Sequence, residues 1–236
     1  MLYCNSGDDC VKFLFLGTGA ADWPQKKTAD LQEFRRLSSA LIDQVLLIDP
    51  GPQVLDAMRE CGKDPAAVRY VINTHRHEDH YCAEIVSALT AMGAQFTELS
   101  AGETAQLGRY TVSAYAGNHA TCAGTVHFMI TAPESSVFYG LDGAWLLYDE
   151  VQAIRRHRPS LAVLDATIGD VDGDYRIFEH NDLRMVLEMQ KTLEPYVGRF
   201  CISHMARTLH TDHKTLAERM ARHGITVAYD GMETDV

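Results

Sequence analysis

The chain has 236 residues, of which 46% are hydrophobic and 22% charged, with a formal net charge of −11. That length can bury a full core, the proportions are those of an ordinary soluble globular protein, and one α/β domain over residues 1–236 is expected. The acidic balance argues against a phosphate-backbone partner, because such binding needs a basic footprint that releases counterions. No run approaches membrane-spanning length, and the stretch from Met1 to Cys10 lacks the basic and long apolar regions of a signal peptide, so the cytoplasm is the expected location. Cys4, Cys10, Cys61, Cys82, Cys122 and Cys201 are scattered without a C-x-x-C pair and read as reduced thiols.

Taken in order, residues 11–16 form a short β-type run, followed by Gly17-Thr18-Gly19-Ala20, whose glycines permit a tight backbone at the strand end. This is neither a dinucleotide fingerprint nor a P-loop. Residues 21–37 have no clear period and read as a long loop over a site. Within it Arg35 and Arg36 are candidates for contact with a substrate phosphate, although solvated surface arginines are the commoner outcome. Residues 39–43 and 45–49 resemble a hairpin, with a helix after Pro50-Gly51 through about Cys61. Asp49 ends its strand, where a carboxylate serves either to accept the free N–H of a ligand imidazole or to make a turn before Pro-Gly.

Residues 68–73 read as a buried strand and 81–89 as a helix, so Thr74-His75-Arg76-His77-Glu78-Asp79-His80 occupies a strand-to-helix loop. In an extended stretch His75 and His77 project to the same side and can share one metal ion. Asp79 and His80 come as the chain turns, which aims them elsewhere, so one loop can serve two ions. Imidazole and carboxylate without thiolate suit zinc, iron(II) or manganese.

Beyond this loop the pattern becomes strand-rich, with runs at 95–99, 110–116, 127–131 and 137–139 that suggest a second sheet packed on the first. His119 and Asp142 each follow one of these runs. A helix over 144–158, a strand over 161–165, a helix over 181–196 and a strand over 200–203 follow, and His204 comes directly after the last. Thr211 is placed to cap a helix ending at His223-Gly224, and 225–230 is the last strand.

The H-x-H-x-D-H order of His75 to His80 resembles the signature of the metallo-β-lactamase superfamily. More narrowly, Gly17-Thr18-Gly19-Ala20, Asn118-His119, His180-Asn181-Asp182-Leu183, Ile202-Ser203-His204 and Tyr229-Asp230-Gly231-Met232-Glu233 resemble the PhnP-type cyclic phosphate phosphodiesterases of the carbon-phosphorus lyase pathway. The resemblance implies a four-layer αββα sandwich and two divalent ions, manganese or zinc with iron as a third option. It implies a first ion on His75, His77 and His119, a second on Asp79, His80 and His204, and Asp142 bridging. It also implies hydrolysis of a small cyclic or linear phosphodiester by a metal-bridging hydroxide, with Asp79 and His180 in catalytic roles and His180 protonating the leaving alkoxide.

One departure stands out: the family's cysteine-rich zinc site after the first strand is missing, since no cysteine lies between Cys10 and Cys61. His210 and His213 read as surface groups at a helix start. Competing readings are an RNA 3′-processing endonuclease of the same superfamily, a β-lactam or thioester hydrolase, and a non-catalytic regulatory protein on this scaffold. The expected partner is a small-molecule phosphodiester, with neither nucleic acid nor membrane, and with a homodimer as the assembly to test.

Overall fold

A computed structural model describes residues 10–236; Cys4 and the leader reading of residues 1–9 lie outside the described residues. The strands and helices, in chain order, are β1 (Lys12–Gly17), β2 (Ser39–Ile42), β3 (Leu46–Ile48), α1 (Val54–Glu60), β4 (Tyr70–Ile72), α2 (Ala83–Ala91), β5 (Gln95–Thr97), β6 (Thr104–Leu107), β7 (Tyr110–Ala116), β8 (Val126–Thr131), β9 (Ser136–Gly140), α3 (Tyr148–His157), β10 (Leu161–Asp165), α4 (Leu183–Leu193), β11 (Arg199–Ser203), α5 (His213–Ala221), β12 (Ile225–Val227) and β13 (Glu233–Asp235).

The strands form a six-stranded sheet in the order β13-β1-β2-β3-β4-β5 and a seven-stranded sheet in the order β12-β11-β10-β9-β8-β7-β6. Alternation along the strands gives each sheet two apolar faces. Between the sheets lie Phe13, Phe15, Ile42, Ile48, Val112, Phe128, Ile130, Tyr139 and Val163. The opposite face of the first sheet packs Leu14, Leu41 and Leu47 against Val54, Ala57 and Met58 of α1 and Leu89 of α2. The outer face of the second packs Phe138, Leu164 and Ile202 against Ile154 of α3, Val186 and Met189 of α4, and Met220 of α5. The result is the αββα sandwich expected from the resemblance. Among the described residues no helix is long and apolar enough to cross a membrane.

The β2–β3 hairpin turns through Asp43 and Gln44 with φ of 48° and 61°, and the Val45 amide donates to the Ile42 carbonyl at 2.9 Å. This is the two-residue geometry whose twist matches the flanking strands. Elsewhere β3 and β4 are parallel, as are β9, β10, β11 and β12. Parallel strands deliver their carboxyl ends to the same edge, which is where open α/β sheets place ligands. The loops after β3, β4, β9, β10 and β11 all carry residues of the candidate site.

Several elements differ from the sequence expectation. The helix expected from 144 begins only at Tyr148: Trp145 has φ of 60°, and the Leu147 amide is capped by Glu150 Oε2 at 2.6 Å. α5 is capped by Asp212 rather than Thr211, with its carboxylate accepting from the Thr215 amide at 3.0 Å. The stretch expected as helix to residue 196 leaves α-geometry after Leu193 for a 3-10 turn at Glu194–Tyr196. β6 and β13 were not foreseen.

Candidate metal centre

Asp49 organises the loop after β4. Its buried carboxylate accepts from the Thr74 amide at 2.7 Å and from Thr74 Oγ1 at 2.8 Å through one oxygen, and its other oxygen lies 2.9 Å from His80 Nδ1. Both ends of the histidine loop are therefore tied to one side chain. Glycine is required at residue 51, since a Cβ there would lie 2.6 Å from the Asp79 carbonyl oxygen. Of the two readings of Asp49, the imidazole acceptor is the one observed.

The loop meets side chains from the second sheet in two groups, His75 with His77 and His119, and Asp79 with His80, Asp142 and His204; within each, one donor atom per residue lies within 4.8 Å of the others. Ring centroids in the first group are 4.7 Å apart for His75–His77, 5.2 Å for His75–His119 and 5.0 Å for His77–His119. Asp142 sits between the groups. Its Oδ2 is 2.5 Å from His80 Nε2, 3.2 Å from His204 Nε2 and 3.7 Å from His75 Nε2.

This donor set fits divalent cations. His75 Nε2 is buried with no hydrogen-bond partner among the described residues, a costly state unless an ion satisfies it, and Asp142 Oδ2 is buried among three imidazole nitrogens. His80 Nε2 and His204 Nε2 approach to 3.2 Å, and so do His77 Nδ1 and His119 Nε2. The Nδ1 proton of His80 is committed to Asp49, so a neutral His80 offers a bare lone pair at Nε2.

Electrostatics point the same way. Burial, reinforced by the neighbouring His80, depresses the His75 pKa to about 2, which leaves its imidazole neutral. Burial opposes charge on His204 and His80 as well, yet Asp142 and the other carboxylates raise both, His204 to about 10. Burial works against ionised Asp142 and Asp79 too, but the adjacent imidazoles hold both carboxyls below the usual range. Buried anions here demand positive charge, which either protons or metal ions can provide.

Asp165 is the functional residue that sequence reasoning missed. The parallel register pairs Asp165 with Ser203, which brings its carboxylate beside the next residue, His204. Asp165 Oδ2 lies 3.4 Å from His204 Nδ1 and 3.1 Å from His180 Nδ1, and it accepts from Thr167 Oγ1 at 2.8 Å. Thr167 Oγ1 is also 2.7 Å from His204 Nδ1. The His180 ring stacks on His204 at 5.6 Å with an interplanar angle of 18°. Burial disfavours charge on His180, but Asp165, its hydrogen bond and Asp142 outweigh that and raise the pKa above the ordinary imidazole value.

His77, Asp79, His119, Asp142, His180 and His204 share a cavity of about 240 Å³; His75 and His80 lie behind it. Asp49, Asp142 and His204 all have positive φ, at 59°, 58° and 61°. Left-handed backbone at non-glycine residues costs energy and persists where the surroundings impose it, commonly at functional sites.

Arg35 and Arg36 fit neither expectation. Arg35 is buried, donating to Thr18 Oγ1 at 2.7 Å and the Ala228 carbonyl at 2.8 Å, with Nη2 2.9 Å from His213 Nδ1. Arg36 pairs with Glu60, and its amide donates to Asp230 Oδ2 at 2.6 Å. Together they pin the long 21–37 loop. His213 is thus drawn inward as the partner of Arg35, and His210 Nε2 lies 2.6 Å from the Ala166 carbonyl, so neither is a plain surface group. Cys61, Cys82, Cys122 and Cys201 are free thiols.

The family model for the metallo-beta-lactamase superfamily matches residues 38–83, the stretch that contains Asp49 and the histidine loop. No curated protein matches the chain. Among solved structures, the metallo-beta-lactamase fold protein YhfI from Bacillus subtilis is similar over 97% of this chain and 100% of its own, with a TM-score of 0.74 and 16% identity. A diphosphatase from the PhnP family is similar over 96% of this chain and 98% of its own, with a TM-score of 0.72 and 14% identity. The short form of human tRNase Z is similar over 94% of this chain and 98% of its own, with a TM-score of 0.71 and 14% identity.

Proposed function

From the metallo-β-lactamase fold as premise, we propose that the protein is a dinuclear metal-dependent hydrolase that acts as a phosphodiesterase on a small cyclic or linear phosphodiester. The observation that carries this reading is Asp142 Oδ2, buried and within 3.7 Å of imidazole nitrogens from both groups. His75, His77 and His119 would hold one ion, Asp79, His80 and His204 the other, with Asp142 shared. Nitrogen and oxygen donors without thiolate favour manganese or zinc. When bound, such a pair supplies an activated water and neutralises charge developing on phosphoryl oxygens.

The chain's own residues do the rest. Asp49 fixes the His80 tautomer, and Asp165 with Thr167 orients His204. Asp165 also holds His180 by Nδ1, so Nε2 is the atom that would deliver a proton to the leaving alkoxide. The Asp165 carboxylate against Nδ1 favours the protonated ring. Likeness to a PhnP-family diphosphatase supports phosphoryl chemistry. Human tRNase Z is almost equally similar, but a net charge of −11 opposes RNA as substrate.

The test is kcat/KM of manganese-loaded protein on a five-membered ribose cyclic phosphate, beside a short RNA with a 3′ extension. Preference for the cyclic ester supports the proposal, and preference for RNA moves the assignment to a processing nuclease. Cleavage of a β-lactam or thioester with neither phosphate substrate turned over would reject phosphodiester chemistry.

A further inference from the structure

Between β10 and α4 the chain makes a short 3-10 turn, Tyr175–Phe178, and Arg176 from that turn lines the same cavity as His77, Asp142, His180 and His204. It is the one arginine or lysine among the described residues that line it. Its position is fixed from both sides. The Arg176 carbonyl accepts from the His180 amide at 2.7 Å and the Glu179 amide at 2.8 Å, which couples it to the histidine beside it. Asp174 grips one edge of the guanidinium, with Nε to Oδ1 at 2.8 Å and Nη2 to Oδ2 at 2.6 Å.

The other edge is open. No described group accepts from Nη1, and the side chain is 32% exposed while that of Asp174 is 9% exposed. Asp22 also lines the cavity; its carboxylate accepts from the Arg207 amide at 2.8 Å and the Thr208 amide at 3.3 Å, and its charge acts on Arg176 without a hydrogen bond to it. An arginine clamped along one edge keeps a planar pair of donors ready for an oxyanion, and little rotamer freedom remains to be lost when it binds.

We propose that Arg176 forms a subsite for a second oxyanion, so that the preferred substrates carry an anionic group in addition to the phosphodiester that is cleaved. This rests on the hydrolase reading above: the scissile phosphoryl would have its charge met by the metal ions, which leaves Arg176 for a separate group. Either a phosphate or a carboxylate matches the guanidinium edge, and both are oxyanions.

Three substrates separate these sources: 4-nitrophenyl thymidine 5′-phosphate, its 3′-phosphorylated form and its 3′-succinylated form. With manganese-loaded wild type, at least one charged form is expected to exceed the parent in kcat/KM by about tenfold, the scale of one charge-assisted hydrogen bond. Which form leads identifies the source. In Arg176→Ala and Arg176→Gln that ratio is expected to fall to about one. A wild type without the preference, or a preference that survives both substitutions, overturns the subsite.

If none of the three is cleaved, the hydrolase reading is decided by the cyclic phosphate assay above, and the subsite is judged by calorimetric binding. Thymidine 3′,5′-bisphosphate and 3′-succinyl thymidine 5′-phosphate are compared with thymidine 5′-phosphate. Tighter binding of a charged form that is lost in Arg176→Gln sustains the subsite; equal binding of all three removes it.

Discussion

The two donor groups are built from the same residue types but differ in what stands behind them. In the second, His80 Nδ1 rests on Asp49 at 2.9 Å and His204 Nδ1 on Thr167 at 2.7 Å, with Asp165 at 3.4 Å. In the first, His75 Nδ1 rests on a threonine hydroxyl at 3.0 Å, and His119 Nδ1 is 3.4 Å from the Glu179 carbonyl oxygen. The nearby Glu179 carboxylate, 3.6 Å away, is committed to Thr121 Oγ1 at 2.5 Å. A carboxylate behind an imidazole raises its basicity and fixes its tautomer, whereas a neutral oxygen does less of both. The second group also carries Asp79 as a charged donor of its own, beside the Asp142 that it shares with the first. One fold thus makes a charged, tightly oriented half and a neutral, looser half, and their ions should differ in retention.

The largest effect should come from the residue that belongs to both halves. Asp142→Ala is expected to reduce phosphodiester turnover to the level of the buffer blank and to lower the metal content of purified protein, measured by elemental analysis. Wild-type turnover in that variant would remove Asp142 from the site. Graded chelation sharpens the contrast further: one ion per chain should leave at a lower chelator concentration than the other, with the retained ion in the Asp79, His80 and His204 group. A single concerted loss would mean that the two halves are equivalent.

The next effects fall on the buried carboxylates. Asp49→Asn and Asp165→Asn should each weaken metal affinity or activity by about 10- to 100-fold, the usual scale for groups behind a metal ligand. Asp165→Asn should also slow substrates with alkyl leaving groups more than nitrophenyl ones, because His180 depends on the same carboxylate. Equal slowing of both substrate types would detach Asp165 from proton delivery.

Legibility in the sequence followed the same division. The histidine loop announces itself because its four donors fall within six residues, and Asp49 could be suspected because it ends a strong apolar strand just before Pro50-Gly51. Asp165 could not. It ends an equally apolar strand, but its significance comes from pairing with Ser203 in the neighbouring parallel strand, and register between strands separated by a helix leaves no local signal. Arg35 was misjudged for the same reason: burial at 7% exposure depends on Thr18, Ala228 and His213 arriving from distant segments. β6 and β13 escaped because each is a short, largely polar edge strand, and β13 exists only through its antiparallel pairing with β1. The order of elements was readable because burial on the sheet faces imposes an apolar period, which edge strands and tertiary hydrogen bonds do not share.

The smallest effect tests the neutral half directly. Thr74→Val keeps the shape of the side chain and removes its hydroxyl, which touches both Asp49 at 2.8 Å and His75 Nδ1 at 3.0 Å. Asp49 keeps the Thr74 amide at 2.7 Å and His80 at 2.9 Å, so the charged half should hold its geometry. Loss of one buried hydroxyl contact should cost about 1 kcal/mol of stability, read as a fall of a few degrees in Tm of the metal-loaded protein. Its effect on manganese affinity should stay below the roughly tenfold lower bound expected for the carboxylate variants. If the threonine variant instead loses as much metal as Asp49→Asn, then His75 is oriented as strictly as His80. The difference between the halves would then lie in the donors alone, not in what supports them.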